Sequence, residues 1–128
     1  MGAFTWPMTV SNLDGQHSQT VDATVDTGAF FTMLPGNMLR QMGVAPLETV
    51  ELELADRTRI ERDIGHVWVS LQGHADRNGN SRDDRAITLA IFGDDDSPVL
   101  LGAYTLEGLR LAVDTVQQKL VPANLILY

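Results

Sequence analysis

The chain of 128 residues contains no cysteine. Disulfides, thiolate metal sites and cysteine nucleophiles are therefore excluded, while the redox compartment stays open. No apolar run approaches the roughly 18 residues of a membrane-spanning helix. The first seven residues also lack the charged and apolar regions of a secretory signal. We therefore expect no membrane partner and a cytoplasmic location by default, although a mature secreted protein would have the same composition.

Basic residues are scarce, with 9 Lys and Arg against 17 Asp and Glu, and the net charge is −8. A field of that sign repels nucleic acid, so we expect no nucleic-acid partner. The length and the 44% hydrophobic content suit one domain over residues 1–128 with a core of modest size.

Several common chemistries have no matching pattern. The histidines, His17, His66 and His74, are scattered and lack the spacing of metal ligands. There is no Gly-x-Ser-x-Gly motif and no glycine-rich phosphate loop. We therefore expect neither a metal nor a cofactor.

The polar insert at residues 74–85 resembles the first half of a calcium-binding loop. Its candidate oxygen ligands are Asp76, Asn78, Asn80 and Asp84. Ser81 stands where such loops need glycine, and Ile87 stands where the closing glutamate belongs. A solvated turn with Asn78-Gly79 at its tip is the favoured interpretation.

The most informative stretch is Val25-Asp26-Thr27-Gly28-Ala29. Residues 21–25 alternate between apolar and polar side chains, which predicts a half-buried strand that ends at Asp26. Gly28 permits a tight turn and a close approach of other groups. Taken alone, Asp-Thr-Gly favours a simple turn in which the aspartate side chain bonds the backbone.

The remaining pattern predicts an all-β domain with two short helices. Pro35 can occupy the first turn of one helix, with Met38, Leu39 and Met42 on its buried face and Gly43 after its end. A second helical turn is expected over residues 103–107, ended by Gly108. The strands and extended segments expected elsewhere cover residues 2–10, 50–54, 64–71, 87–91, 99–101, 111–114 and 119–121.

Three segments together resemble the retropepsin-like aspartic proteases, over residues 21–122. The first is Val25-Asp26-Thr27-Gly28-Ala29 with Met33-Leu34-Pro35, which is similar to the active-site segment of the family. The second, residues 52–58, resembles the flap hairpin of small prokaryotic members. The third, Val99-Leu-Leu-Gly-Ala103, resembles the motif before the C-terminal helix. The resemblance implies a small, closed, barrel-like acid protease fold.

The same resemblance implies an aspartic endopeptidase in which Asp26 is the catalytic residue. The mechanism needs two carboxylates that share one proton. Asp114-Thr115 is followed by Val116 rather than glycine, so the chain offers one such aspartate. The second must then come from a second copy in a symmetric homodimer, whose substrate would be a peptide or an unfolded protein.

Supporting roles also follow from the resemblance. Thr27 would brace the two aspartates, Gly28 and Ala29 would line the site, and Leu101 and Gly102 would pack beneath the aspartate loop.

The flap tip over the substrate would be Ala55, Asp56, Arg57 and Thr58. Similar bacterial sequences usually carry glycine at the position of Arg57, which puts substrate range and flap mobility in question.

The alternative function is a catalytically silent peptide-binding or dimerisation module on the same fold. By the same resemblance, the apolar residues 124–128 and the apolar N-terminal segment at residues 2–10 would interleave at the dimer interface. The alternative is that Leu125 and Leu127 pack on their own subunit.

Overall fold

A computed structural model describes residues 4–73, 78 and 84–123 of the chain. The strands are β1 (Phe4–Ser11), β2 (Ser18–Val25), β3 (Thr32–Pro35), β4 (Glu48–Glu53), β5 (Arg59–Leu71), β6 (Arg85–Gly93), β7 (Leu100–Leu101), β8 (Leu111–Asp114) and β9 (Lys119–Pro122). The helices are α1 (Gly36–Gln41) and α2 (Ala103–Gly108). With 52% strand and 11% helix over the residues that the structure describes, the expected all-β class with two short helices is confirmed.

Six strands form a closed ring. Their order is β1-β2-β7-β3-β6-β5, and β5 pairs back with β1 through Met8↔Leu71 and Val10↔Val69. Strand β5 can serve two purposes because it is 13 residues long. Its C-terminal half belongs to the ring, while its N-terminal half pairs with β4 to form a hairpin outside it. Strands β8 and β9 form a separate two-stranded sheet.

The ring encloses the hydrophobic core. Val67, Val69 and Leu71 of β5 are at most 1% exposed, as their alternation predicts. Strand β6 differs, because its buried face carries Thr88 and Ala90, whereas Ile87 is 48% exposed. The alternation of apolar residues therefore predicts where this strand lies in the sequence, but it does not predict which of its two faces is buried in the ring.

Helix α1 ends as the sequence predicts. Gly43 adopts a left-handed φ of +80°. Its N–H bonds the Arg40 carbonyl, and the Val44 N–H bonds the Leu39 carbonyl, which together form a Schellman motif. Leu39 and Met42 are buried, so the apolar face of the helix packs on the core.

Two predicted helix boundaries are wrong. Pro35 is the last residue of β3 and precedes the helix, which begins at Gly36. Helix α2 continues through Gly108, and the left-handed residue after it is Arg110 at φ +58°. The Arg110 N–H bonds the Glu107 carbonyl, so the chain leaves the helix two residues later than the glycine suggests.

Most of the insert and all of the C-terminal tail at 124–128 lie outside the described residues, and so do the calcium and interface predictions made for them. At the described end of the insert, Asp84 forms an ion pair with Arg110 at 2.8 Å. Within residues 4–73, 78 and 84–123, no acidic and histidine side chains cluster in a way that could hold a metal ion. In the same ranges, neither helix has the length and apolar character needed to cross a membrane.

Candidate functional site

Asp26 lies where β2 leaves the ring. The two residues before it, Thr24 and Val25, pair in parallel with Leu100 and Leu101 of β7. The Asp26 N–H continues this pairing with a bond of 3.2 Å to the Leu101 carbonyl. The position of Asp26 is thus set by β7, which lies about 75 residues away in the sequence.

The loop after Asp26 is a tight Asx turn. The Asp26 Oδ1 atom accepts the Gly28 N–H at 2.9 Å, and the Asp26 carbonyl accepts the Ala29 N–H at 3.1 Å. A Cβ atom at Gly28 would lie 3.3 Å from that carboxylate oxygen, a tight contact that favours glycine. Asp26 is half-buried, while Thr27 and Gly28 are exposed. The simple turn predicted for Asp-Thr-Gly is therefore present, and within residues 4–73, 78 and 84–123 the second carboxylate oxygen, Oδ2, has no hydrogen-bond partner.

Helix α2 fixes the far side of the same loop. The Ala103 N–H bonds the Ala29 carbonyl and the Tyr104 N–H bonds the Phe30 carbonyl, each at 2.9 Å. Gly102 lies against this backbone so closely that a Cβ atom would stand 2.5 Å from the Phe30 oxygen. The structure therefore brings Asp26, Ala29 and the Leu101-Gly102 segment together.

An aromatic cluster borders this loop, and the sequence analysis did not single it out. Phe30 and Phe31 meet edge to face at 4.9 Å, and Tyr104 lies 5.6 Å from Phe30. Phe30 is 55% exposed and Tyr104 is 41% exposed. Large apolar rings at this exposure form a surface suited to an apolar ligand. The adjacent Phe30-Phe31 pair was the available signal in the sequence.

Three buried threonines beneath the loop were also missed. Thr32, Thr88 and Thr105 are at most 2% exposed and are joined through their hydroxyl groups. They are hard to recognise in the sequence because they come from β3, β6 and α2, which are far apart along the chain.

The tip of the β4–β5 hairpin is a self-contained turn. The Leu54 N–H bonds the Thr58 carbonyl at 2.8 Å, and the Arg57 N–H bonds the Leu54 carbonyl at 2.9 Å. Asp56 Oδ1 accepts both the N–H and the hydroxyl of Thr58, at 3.0 and 2.6 Å. The Thr58 hydroxyl, and then the Thr58 N–H, hold the pKa of Asp56 below its ordinary value.

All residues from 53 to 59 are exposed, and Arg57 adopts a left-handed φ of +68°. That conformation suits glycine and strains a residue with a side chain. No hydrogen bond among the described residues joins Ala55, Asp56, Arg57 or Thr58 to the Asp26 loop.

The base of the hairpin is held by charged side chains. Arg62 pairs with Asp94 at 3.1 Å, and Arg40 of α1 lies 3.8 Å from Asp63. The Thr49 hydroxyl donates to Asp63 across the hairpin at 2.7 Å. The hairpin is thus tied to its surroundings at its base, while its tip is exposed.

Asp114 also closes an Asx turn. Its Oδ1 atom accepts the N–H groups of Val116 and Gln117 at 3.1 and 3.0 Å, within the turn between β8 and β9. The side chain therefore closes that turn as Asp26 Oδ1 closes its own. The rejection of Asp114 as a second site aspartate rests on the sequence, in which Val116 stands in place of glycine.

Comparison of the chain with known protein families and with curated proteins finds no match. The class of protein is therefore described from its fold and its candidate site. It is an all-β domain built on a closed six-stranded ring, with a half-buried aspartate in a loop fixed from two sides.

Proposed function

We propose that the chain is an aspartic endopeptidase of the retropepsin-like type that works as a homodimer. The observation that carries the proposal is the Asp26 loop. Its backbone is bonded to Leu101 on one side and its Ala29 carbonyl to α2 on the other, while one carboxylate oxygen accepts the Gly28 N–H. A carboxylate held this firmly in a half-buried turn is suited to a task that depends on its position.

In the proposed reaction, Asp26 and its copy in the second subunit share one proton. Two carboxylates that lie close together cannot both ionise, because like charges repel in a partly desolvated site. The ionised member takes a proton from the attacking water, and the protonated member donates to the carbonyl oxygen of the peptide bond. Since the chain supplies one such aspartate, a two-fold axis must pass close to the Asp26 loop.

The exposed side of the loop agrees with this arrangement. Thr27 is exposed next to Asp26, so its hydroxyl is accessible to a second subunit, where it would brace the pair. Gly28 and Ala29 would line the cleft, and Leu101 and Gly102 would support it from below.

The hairpin tip at Ala55, Asp56, Arg57 and Thr58 would act as a flap over the substrate. Its exposure and its attachment at the base are what a mobile cover requires, because segments with little burial open at low free-energy cost. The exposed rings of Phe30 and Tyr104 beside the loop favour extended peptides with large apolar side chains near the cleaved bond.

The deciding experiment is digestion of an unfolded protein or a peptide library at acid pH, read by mass spectrometry. The wild-type protein should cleave, and a statine-type inhibitor should stop cleavage. Asp26→Asn should abolish cleavage while the fold and the dimer persist, since asparagine has nearly the same shape but cannot transfer the proton.

The matched control is Asp22→Asn, the same chemical change at an exposed position of β2, the strand that leads into Asp26. It should cleave like the wild type. Turnover by Asp26→Asn at the wild-type rate would show that the assignment of Asp26 is wrong. No cleavage by the wild-type protein, with peptide binding preserved, would favour the alternative of a catalytically silent module.

The homodimer is tested by analytical ultracentrifugation. We expect a dimer, and we expect that deletion of residues 124–128 yields an inactive monomer, because an apolar segment needs a partner that covers it. A truncated protein that remains dimeric and active would show that this segment is not the interface.

A further inference from the structure

The buried threonines stand out in a core that is otherwise apolar. Among the described residues the buried polar side chains are Asn12, Thr32, Thr88 and Thr105. Three of these four meet at one point, where β3, β6 and α2 pack together. Valine has nearly the shape of threonine, so filling the space does not require a hydroxyl group. A buried hydroxyl without a partner costs about 1–3 kcal/mol, so a cluster of three indicates a need for their hydrogen bonds.

The hydroxyl group of Thr105 is the centre of the cluster. It lies 2.5 Å from the Thr32 hydroxyl and 2.8 Å from the Thr88 hydroxyl. The Thr32 oxygen also accepts the Gly102 N–H at 3.2 Å. Because Thr32 accepts from the backbone, its own hydrogen can be donated to Thr105, and that of Thr105 to Thr88. The bonds then run in one direction and polarise each other.

One peptide unit connects this cluster to Asp26. The Gly102 N–H and the Leu101 carbonyl belong to the same planar peptide group. The N–H side is held by Thr32, and the carbonyl side accepts the Asp26 N–H at 3.2 Å. Rotation of this peptide would break both bonds. Gly102 has no space in which to adjust, since the Phe30 and Phe31 backbone lies against it.

We propose that Thr32, Thr88 and Thr105 are positioning residues, whose hydroxyl groups fix the Leu101–Gly102 peptide and thereby the orientation of Asp26. None of the hydrogen bonds described for the three threonines goes to the Asp26 carboxylate, so they act through the backbone. The consequence for catalysis rests on the proposed function, whereas the consequence for the loop backbone does not.

The test replaces the central residue in two ways. Thr105→Val removes the hydroxyl group and keeps the shape, and Thr105→Ser keeps the hydroxyl group and removes the methyl group. The first measurement is amide hydrogen exchange at Asp26 and Gly102 by NMR, which needs no activity. The second is kcat and KM for a cleaved peptide at acid pH. The control is Val10→Ala, which opens a cavity in the core at a residue of β1.

For Thr105→Val we expect exchange at Asp26 and Gly102 to rise about tenfold relative to amides of the ring, in keeping with the loss of a buried hydrogen bond. We also expect kcat to fall about tenfold with KM within about twofold, because the affected group acts in the transition state. Thr105→Ser should restore both measurements to within about threefold of wild type. Val10→Ala should raise exchange in proportion across the whole ring.

The proposal is overturned if exchange at Asp26 and Gly102 in Thr105→Val changes only in step with the ring, or if it rises while kcat is unaltered. If Thr105→Val does not fold, Thr88→Val is tested instead, since it removes the outermost hydroxyl group. Exchange at Asp26 and Gly102 should then rise, and kcat should fall, by about threefold. The absence of both changes in Thr88→Val overturns the proposal. If the wild-type protein does not cleave, the proposed function fails. Amide hydrogen exchange at Asp26 and Gly102 then decides by itself whether the three threonines fix the loop backbone.

Discussion

The Asp26 loop and the tip of the β4–β5 hairpin use the same local chemistry in opposite surroundings. In each turn an aspartate Oδ1 accepts the backbone N–H two residues later, from Gly28 at 2.9 Å and from Thr58 at 3.0 Å. Around Asp26, further bonds run to β7 and α2, whereas around Asp56 they return to the hairpin itself. The two turns therefore differ in what holds their backbone. An Asx turn is a candidate site where bonds to other elements fix its backbone, as β7 and α2 do around Asp26.

The largest expected effect comes from disturbing the fixed loop. Gly102→Ala would place a Cβ atom 2.5 Å from the Phe30 oxygen and the Phe31 carbonyl carbon. Because backbone must move to relieve this overlap, we expect a loss of about 2–3 kcal/mol in the free energy of unfolding and loss of any cleavage. Urea denaturation measures the change.

The matched control is Gly108→Ala in α2, where the nearest atom, the Ala86 Cβ, would lie at an ordinary 3.9 Å. Because Gly108 is the exposed last residue of the helix, alanine there should change the free energy of unfolding by no more than about 0.5 kcal/mol. If Gly102→Ala leaves the free energy of unfolding unchanged, the Asp26 loop is not held more closely than the hairpin tip.

A bound peptide should affect the two turns differently. With a statine-type inhibitor, we expect amide exchange at Leu54 and Thr58 to slow by about tenfold or more, since an exposed tip gains contacts on closure. The Asp26 amide, already bonded to Leu101, should change much less. Equal protection at both turns, or none at the hairpin, would contradict the assignment of the hairpin as a flap.

Replacing the strained residue should stabilise the hairpin. Arg57→Gly removes the side chain from a left-handed residue at φ +68°, and we expect the hairpin to gain up to about 1 kcal/mol of local stability. Exchange at the Leu54 amide is the measurement. Arg57→Ala also removes the charge but retains the strain, so it should give no gain. Equal gains in the two variants would attribute the effect to charge.

The smallest effect concerns pH. Because the pKa of Asp56 is lower in the folded hairpin than its ordinary value of about 3.8, its carboxylate stabilises the tip above that pH. This contribution is lost as the pH falls through the lowered pKa. Exchange at the Thr58 amide, corrected for its intrinsic pH dependence, should therefore accelerate below about pH 3.8 in the wild type. Asp56→Asn should show no such change, and the same profile in that variant would remove Asp56 as the cause.

The sequence could predict those parts of the fold that depend on local periodicity. The strand before Asp26 and the helix that Gly43 ends lie where the pattern places them. The strand that contains Val67 and Val69 covers the predicted residues 64–71 but begins earlier, at Arg59. Helix α2 was predicted to end too early, because Gly108 can end a helix but does not have to. For β6 the alternation of Ile87 and Leu89 indicated a strand, yet the ring buries the face that carries Thr88.

What the sequence determined by itself is the Asx turn at Asp26, because an aspartate followed two residues later by glycine can close that hydrogen bond locally. The chain has the same type of bond at Asp14, Asp56 and Asp114, so local chemistry could not distinguish one turn from another. Only the tertiary structure placed Leu101, Gly102 and the three threonines against the Asp26 turn. The physical reason is that these groups are far apart in the chain and come into contact only when the β-strands close into a ring.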